Sequence, residues 1–284
     1  MQTLSQAFGT NAQVGDIVLD NSFFNSVNVP GVLTSLNPYD AANGALCVNF
    51  NTIYFKKSKS GYESAEPQTP MIPFAIEKIK ALDAKSGRIA FSTENNETAL
   101  YAGHLFRYFL EKQGIHVRGD IRIGNAKHSD KLVLTHTSSY TLQDAIVKLL
   151  EYSNNFIANQ IFLAIGASVY GPPATLEKGS MAVSEYARNV LKSDRIQIVE
   201  GSGIARENRI SASDMLRILD KFKPYQHLMH KEDRAIFKTG TLSDVSTRAG
   251  YIEDADGKQY SFVIFCNTLG KSAKNILEKL LRVI

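Results

Sequence analysis

The C-terminal stretch of the chain leaves little freedom of fold. Three runs rich in β-branched and aromatic residues, at 234–241, 248–253 and 259–267, follow one another at short intervals. Asp256-Gly257, between the second and third runs, is a hairpin turn, because a two-residue loop needs backbone angles that glycine and aspartate adopt cheaply. Residues 273–282 then place apolar side chains at helical spacing. Three strands and a helix at these loop lengths predict an antiparallel sheet with one face covered by the closing helix.

Upstream the pattern divides near residue 95. Before it, residues 16–20, 45–55 and 88–91 read as strands, broken by the turn-prone Asn37-Pro38-Tyr39-Asp40 and Asn43-Gly44. Residues 58–73, with serine, glycine and prolines, read as a loop. After it, residues 98–113 put Leu100, His104, Leu105, Tyr108 and Phe109 on one helical face and stop at Gly114. His104 on that face reads as a core histidine. Strands are expected at 119–123 and 131–137. Thr141-Leu142-Gln143-Asp144 forms a capping box opening a helix that ends at Tyr152, and 156–165 is apolar on several sides, as a buried helix should be. Ser211 with Asp214 opens another helix, running to Phe222. The class is α+β, and 284 residues with 44% hydrophobic content suffice for two domains.

Charge excludes some functions. A net charge of +4, with no basic block denser than Lys56-Lys57-Ser58-Lys59, calls for no nucleic-acid partner. No apolar run has the length of a membrane span, and residues 1–6 lack the pattern of a signal peptide. Cys47 and Cys266 lie in apolar runs, as buried thiols do. His227 and His230 have no carboxylate motif beside them, so no metal site is expected.

Lys238-Thr239-Gly240-Thr241 ends a strand in an ammonium, a hydroxyl and a glycine. That combination reads an anion: the ammonium supplies the field, the hydroxyl a hydrogen bond, and the glycine lets a ligand backbone come close. Ser153-Asn154-Asn155 stands at the junction of two helices. Serine and asparagine there can simply cap the second helix, but side chains held at a junction are also placed to bind. Gly201-Ser202-Gly203 follows the apolar run 196–199, yet Arg206 stands where a third glycine would complete a dinucleotide fingerprint, so that reading fails.

In their order along the chain, Ser153-Asn154-Asn155, Gly201-Ser202-Gly203-Ile204-Ala205-Arg206-Glu207-Asn208 and Lys238-Thr239-Gly240-Thr241 resemble the class C low-molecular-mass penicillin-binding proteins. These are serine D-Ala-D-Ala carboxypeptidase/endopeptidases. Residues 15–24, 37–40 and 48–51 are similar to the domain inserted in that family. The resemblance implies a β-lactamase/transpeptidase-like domain, an incomplete antiparallel sheet flanked by helices, over 96–284, and the later part of the β-rich inserted domain over 1–95. It implies that Ser153 relays a proton, that Lys238 tunes the field and with Thr239 holds the substrate's terminal carboxylate, that Asn155 holds the acyl side chain's amide, and that backbone around Gly240 and Thr241 pairs with an extended peptide. The ligand would be a peptidoglycan stem peptide or a β-lactam. No cofactor is implied, and the implied location is the periplasm or cell envelope.

One departure limits this. The family's nucleophile is the serine of a Ser-x-x-Lys motif, and no lysine here has a serine three residues before it. Thr175-Leu176-Glu177-Lys178 and Thr268-Leu269-Gly270-Lys271 only imitate it. The expectation is therefore an inactive fragment or shortened relative; the alternative is a cell-wall binding or scaffold module. The strand at 259–267 should also lack a neighbour that another chain or segment would supply.

Overall fold

The structure, a computed structural model, describes residues 2–8, 12–25, 27–31 and 35–284. Met1, within the stretch inspected for a signal peptide, lies outside them. The elements are α1 Gln2–Ser5, β1 Gln13–Val14, β2 Ile17–Leu19, β3 Thr52–Ser58, β4 Gly61–Ser64, α2 Pro73–Lys80, β5 Ser86–Ala90, α3 Glu97–Lys112, β6 His116–Val117 and β7 Ile121–Ile123. They continue with α4 Leu142–Tyr152, α5 Asn155–Tyr170, α6 Leu176–Asn189, α7 Ala212–Phe222, β8 Lys231–Glu232, β9 Ala235–Leu242, β10 Val245–Glu253, β11 Gln259–Cys266 and α8 Ala273–Val283. The class is α+β, as the patterning predicts.

In the N-terminal half, β3 is the middle strand of an antiparallel three-stranded sheet, order β4-β3-β5. Its inward residues Ile53 and Phe55 meet Ile89 and Phe91 beneath α2 and α3, which contribute Ile79, Tyr101 and Leu105. Phe91 stacks on Tyr101 with ring centroids 4.2 Å apart. Each such fully buried side chain contributes about 1.5–3 kcal/mol against exposure. Strands β1 and β2 pair in parallel with β6 and β7. Hydrogen bonding thus links the two sides of residue 95, the expected domain boundary.

Three expectations fail locally. The strand expected from residue 45 begins only at Thr52, because Asn49, Phe50 and Asn51 have positive φ of 48°, 51° and 50°. There the Asn51 amide donates to Ala42 O at 2.8 Å and turns the chain. The expected loop at 58–73 contains β4, held to β3 by the ladder and by Tyr62 packing edge-on against Phe55. Residues 131–137 join no ladder, and Leu132 and Val133 are 76% and 71% exposed: high strand propensity does not make a strand without a neighbour. Helices α2 and α6 were not anticipated. Both cysteines are free thiols, Cys266 buried and Cys47 half-buried.

The C-terminal half sets helices α4–α7 beside the sheet β11-β10-β9-β8. Helix α5 is the central one, burying Phe156, Phe162 and Leu163. It touches α6 closely through Gly166, where a Cβ would lie 2.5 Å from Gly179 N. In the sheet, Ala249 faces Lys238 and Gly250 faces Phe237 across β9 and β10. Helix α8 caps one sheet face, placing Ala273 and Leu277 among Phe237, Phe262 and Ile264, as the closing amphipathic pattern predicts. Strand β11 pairs with β10 alone among the described residues.

Candidate active site

The site forms where the junction of α4 and α5 faces strand β9. Helix α4 ends on Ser153, whose φ and ψ of 51° and 49° are left-handed, so the chain reverses direction at that residue. The next residue, Asn154, is the cap of α5: its Oδ1 accepts from Ile157 N at 2.9 Å. Of the three junction residues, the buried middle one supplies the capping. The Ser153 and Asn155 side chains are left for other work.

Across the cleft, the Lys238 ammonium donates to Ser153 Oγ and, at 2.9 Å, to Thr239 O. Lys238 has no carboxylate within salt-bridge distance among the described residues. Burial pulls its pKa below the ordinary lysine value of 10.5, since a desolvated ammonium is costly. The pleat of β9 turns Lys238 and Gly240 to one face and Thr239 and Thr241, both exposed, to the other. Gly240 is required by its neighbour: a Cβ there would stand 2.6 Å from Thr247 Oγ1. Beyond β8, which pairs with Ala235 and Ile236, and beyond the bond from Phe237 N to His230 O at 3.1 Å, the outer edge of β9 from residue 238 to 242 has no strand beside it among the described residues. An extended ligand could pair there.

Asn155 opens α5 and donates from Nδ2 to Asp40 Oδ1 at 3.2 Å. Asp40 belongs to the turn Asn37-Pro38-Tyr39-Asp40, so the N-terminal half supplies part of the wall. Asn43 fixes that turn on α5 by donating to Phe156 O at 2.9 Å, and Gln160 returns a bond to Gly44 O at 2.7 Å. A cavity of about 380 Å³ opens beside it, lined by Ser35, Tyr39, Asp40, Asn43 and Phe156 among others. By sequence this turn is a chain break and part of the resemblance to the inserted domain, with no sign of its contact with α5. The paired Asp40 and Asn43, flanking two alanines before a glycine, offered no periodic signal of a contact with α5, which lies more than a hundred residues away.

The loop after the apolar run 196–199 runs from α5 to the tip of the β9–β10 hairpin. It is built on Glu200, 1% exposed, whose carboxylate accepts from Ser202 N, Ser202 Oγ, Gly203 N, Ala205 N and Asn208 Nδ2 at 2.5–3.2 Å. Neutral donors thus disperse a buried charge, which would otherwise be costly. Gly201 N donates to the buried Asn159 Oδ1 of α5 at 2.7 Å, tying the loop to the same helix. At the loop's outer end Arg206 pairs with Asp244 at 2.6 Å, reaching the tip of the β9–β10 hairpin. That guanidinium holds the Asp244 carboxyl below its ordinary pKa. A recess of about 620 Å³ runs behind the pair, with Asn208, Leu242, Thr247 and Phe265 among its walls. The Gly-x-Gly stretch is therefore a carboxylate-centred loop. Glu200 and Asn159 went unnoticed because a single acid or amide within an apolar run has no distinguishing spacing.

The structure thus brings Ser153 and Lys238 into contact, holds Asn155, two residues along the junction, on Asp40, and continues from Lys238 through Thr239, Gly240 and Thr241 along β9. His104 stands apart, half-buried and stacked on Phe74 at 4.6 Å. Among the described residues, no cluster of histidine, cysteine and carboxylate side chains could hold a metal ion.

The chain matches the D-Ala-D-Ala carboxypeptidase 3 (S13) family over residues 80–235 and 221–283. It is 24% identical over 223 residues to the D-alanyl-D-alanine carboxypeptidase DacB of Haemophilus influenzae, covering 68% of this chain and 45% of that protein. It is 28% identical over 194 residues to a D-alanyl-D-alanine carboxypeptidase of an Actinomadura species, covering 57% of this chain and 36% of that protein. The chain spans less than half the length of these curated relatives. Among solved structures, penicillin binding protein 4 (dacB) of Haemophilus influenzae superposes with a TM-score of 0.72 at 20% identity, over 95% of this chain and 75% of that one. The same protein complexed with a novel β-lactam gives a TM-score of 0.68 at 20% identity, over 99% and 76%.

Proposed function

The chain belongs to the D-Ala-D-Ala carboxypeptidase 3 (S13) family, and from that premise we propose that its cleft binds D-Ala-D-Ala-terminated stem peptides of peptidoglycan and the β-lactams that imitate them. The observation that carries this reading is the hydrogen bond from Lys238 to Ser153, which sets the anion-reading strand against the helix junction. In the proposed complex the Lys238 ammonium and the Thr239 hydroxyl take the terminal carboxylate, and the open edge of β9 near Gly240 and Thr241 pairs with the extended peptide. The Asn155 amide, oriented by Asp40, holds the acyl side chain's amide. In a chain that carries the nucleophile, Ser153 would pass a proton toward the leaving amine.

The bond-breaking step is a separate matter. Acyl transfer needs a nucleophile activated by a base, and a Ser-x-x-Lys is absent from this sequence. We take these 284 residues by themselves, as a fragment or shortened relative of such an enzyme, to recognise the ligand without opening it; the alternative is a binding module of the cell envelope. Two measurements test this. An acetylated tripeptide ending in D-Ala-D-Ala should bind reversibly, and Lys238→Met should weaken it. A fluorescent penicillin should leave no label after denaturation. Label that survives denaturation would overturn the non-catalytic half of the proposal; absence of any peptide binding would overturn the other half.

A further inference from the structure

The small antiparallel sheet β4-β3-β5 ends in two turns that lie side by side. Residues 58–61 join β3 to β4, residues 81–85 join α2 to β5, and Lys57 N donates to Lys85 O at 2.6 Å between them. This end holds the basic run Lys56-Lys57-Ser58-Lys59, which the ligand cleft does not use. Lys56, Lys57 and Lys59 stand on the first turn, Lys85 on the second and Lys80 in the last turn of α2, and all five are exposed. None has a carboxylate within salt-bridge distance among the described residues.

The alternation of β3 sends Lys56 to the outer face with Tyr54 and Lys57 to the face of α2, its ammonium 5.9 Å from the centre of the Tyr62 ring. The charge therefore surrounds the end of the sheet. Two carboxylates share these segments: Glu63, opposite Lys56 in the ladder and accepting from Ser60 Oγ at 3.3 Å, and Asp83. Glu77 stands one turn back on α2, and Glu66 is taken by Arg88 at 2.7 Å. Five lysines against two carboxylates leave three positive charges in excess, in a chain whose whole excess is four. Among the lysines the second turn holds out Leu82, 53% exposed, with the exposed Ala81 beside it.

Ammonium groups gathered in this way repel one another and gain nothing from the fold. A bilayer offers phosphates for the ammonium groups and, at the same place, an apolar phase for the leucine. We propose that this end of the sheet docks on a bilayer rich in anionic phospholipid, Leu82 entering the headgroup boundary and the lysines lying over the phosphates. The contact is peripheral: it needs no spanning helix, and none of the described helices is long and apolar enough to be one. At the other end of β5, Ala90 and Phe91 line the cavity beside Asp40. Ser86 and Phe91 are about 15 Å apart at roughly 3.3 Å a residue. Docking leaves that cavity uncovered, and the inference does not rest on the function proposed above.

The test is sedimentation of the full chain with vesicles of phosphatidylglycerol and phosphatidylcholine, against vesicles of phosphatidylcholine alone. Binding to the anionic vesicles is expected, weakening about tenfold or more when salt rises from about 0.05 M to about 0.5 M. Lys57→Glu with Lys85→Glu, and separately Lys59→Glu with Lys80→Glu, should each weaken it about tenfold or more. All four side chains are exposed, so circular dichroism and the urea midpoint should be unchanged. Leu82→Trp places one tryptophan in a chain that has none, and its emission should shift to the blue on anionic vesicles. Equal binding to both kinds of vesicle, binding to neither, or charge reversals without effect overturn the proposal. A tryptophan that keeps its unbound emission on vesicles that do hold the chain overturns the bilayer as occupant and points to an acidic polymer.

Discussion

The ammonium of Lys238 donates to the hydroxyl of Ser153, so the end of helix α4 and the anion-reading strand β9 meet across a sequence separation of 85. This contact is made at a cost. Lys238 is drawn out of water without a carboxylate to compensate it, and its pKa falls below 10.5 as a result.

The pH dependence follows from that shift. Below the lowered pKa the folded state carries the full penalty of a desolvated ammonium. Between the lowered value and 10.5 the unfolded chain binds more protons at this site, so the Lys238 contribution to stability improves as pH rises through that interval. Ligand binding runs the other way, because a carboxylate needs the ammonium. Affinity for a D-Ala-D-Ala peptide should fall on approaching the same interval from below, and Lys238→Met should remove both trends. Loss of a charge-assisted hydrogen bond predicts a roughly tenfold to hundredfold weaker complex at neutral pH. Chemical denaturation and calorimetric titration across alkaline pH measure the two effects.

Asn154 and Asn155 should separate stability from binding. Asn154→Ala removes the Oδ1 that caps Ile157 N and should cost about 1 kcal/mol of unfolding free energy. Asn155→Ala gives up only a 3.2 Å bond to Asp40 at the helix surface, so stability should change by less than about 0.5 kcal/mol. Peptide affinity should respond more to Asn155→Ala. Urea denaturation paired with ligand titration distinguishes the two variants, and the reverse ranking would show that the roles are assigned wrongly.

Glu200 is the interior charge on which the loop from Gly201 to Asn208 depends. Glu200→Ala would leave Gly203 N and Ala205 N without their acceptor and should destabilise by about 3 kcal/mol. Glu200→Gln keeps one oxygen but turns an amide toward donors, and should lie between wild type and alanine. A urea midpoint that barely moves in Glu200→Ala would contradict this account.

Gly250 tests the packing of the sheet. A Cβ at that position would stand 2.0 Å from Ile236 O and 2.6 Å from Phe237 Cα, so Gly250→Ala must push β9 away from β10. Overpacking of this sort costs about 1–3 kcal/mol. Because the displaced strand carries Lys238, ligand affinity should fall with stability, as thermal shift and titration on the same sample would show.

Much of the C-terminal half was legible in the chain, since its elements declare themselves locally. Asp256-Gly257 lies in the connection from β10 to β11, which is the longer turn 254–258 with Gly257 at φ 79° rather than a two-residue loop, and the spacing of apolar residues after Ala273 describes α8. Expectations failed where local propensity was overridden. Residues 131–137 have strand-forming side chains but no neighbour, and residues 45–51 have them but are turned by Asn51.

The sequence by itself determined the class of fold, the order of the motifs and the family resemblance, because periodicity, turn chemistry and short motifs are properties of neighbouring residues. Only the tertiary structure decided that Asn154 does the capping while Ser153 meets Lys238, that Asp40 accepts from Asn155, and that Glu200 organises the loop from Gly201 to Asn208. Those assignments depend on which polar groups find partners across distant segments. Burial forces each such group to be satisfied but leaves no mark in the local pattern by which the partner could be named.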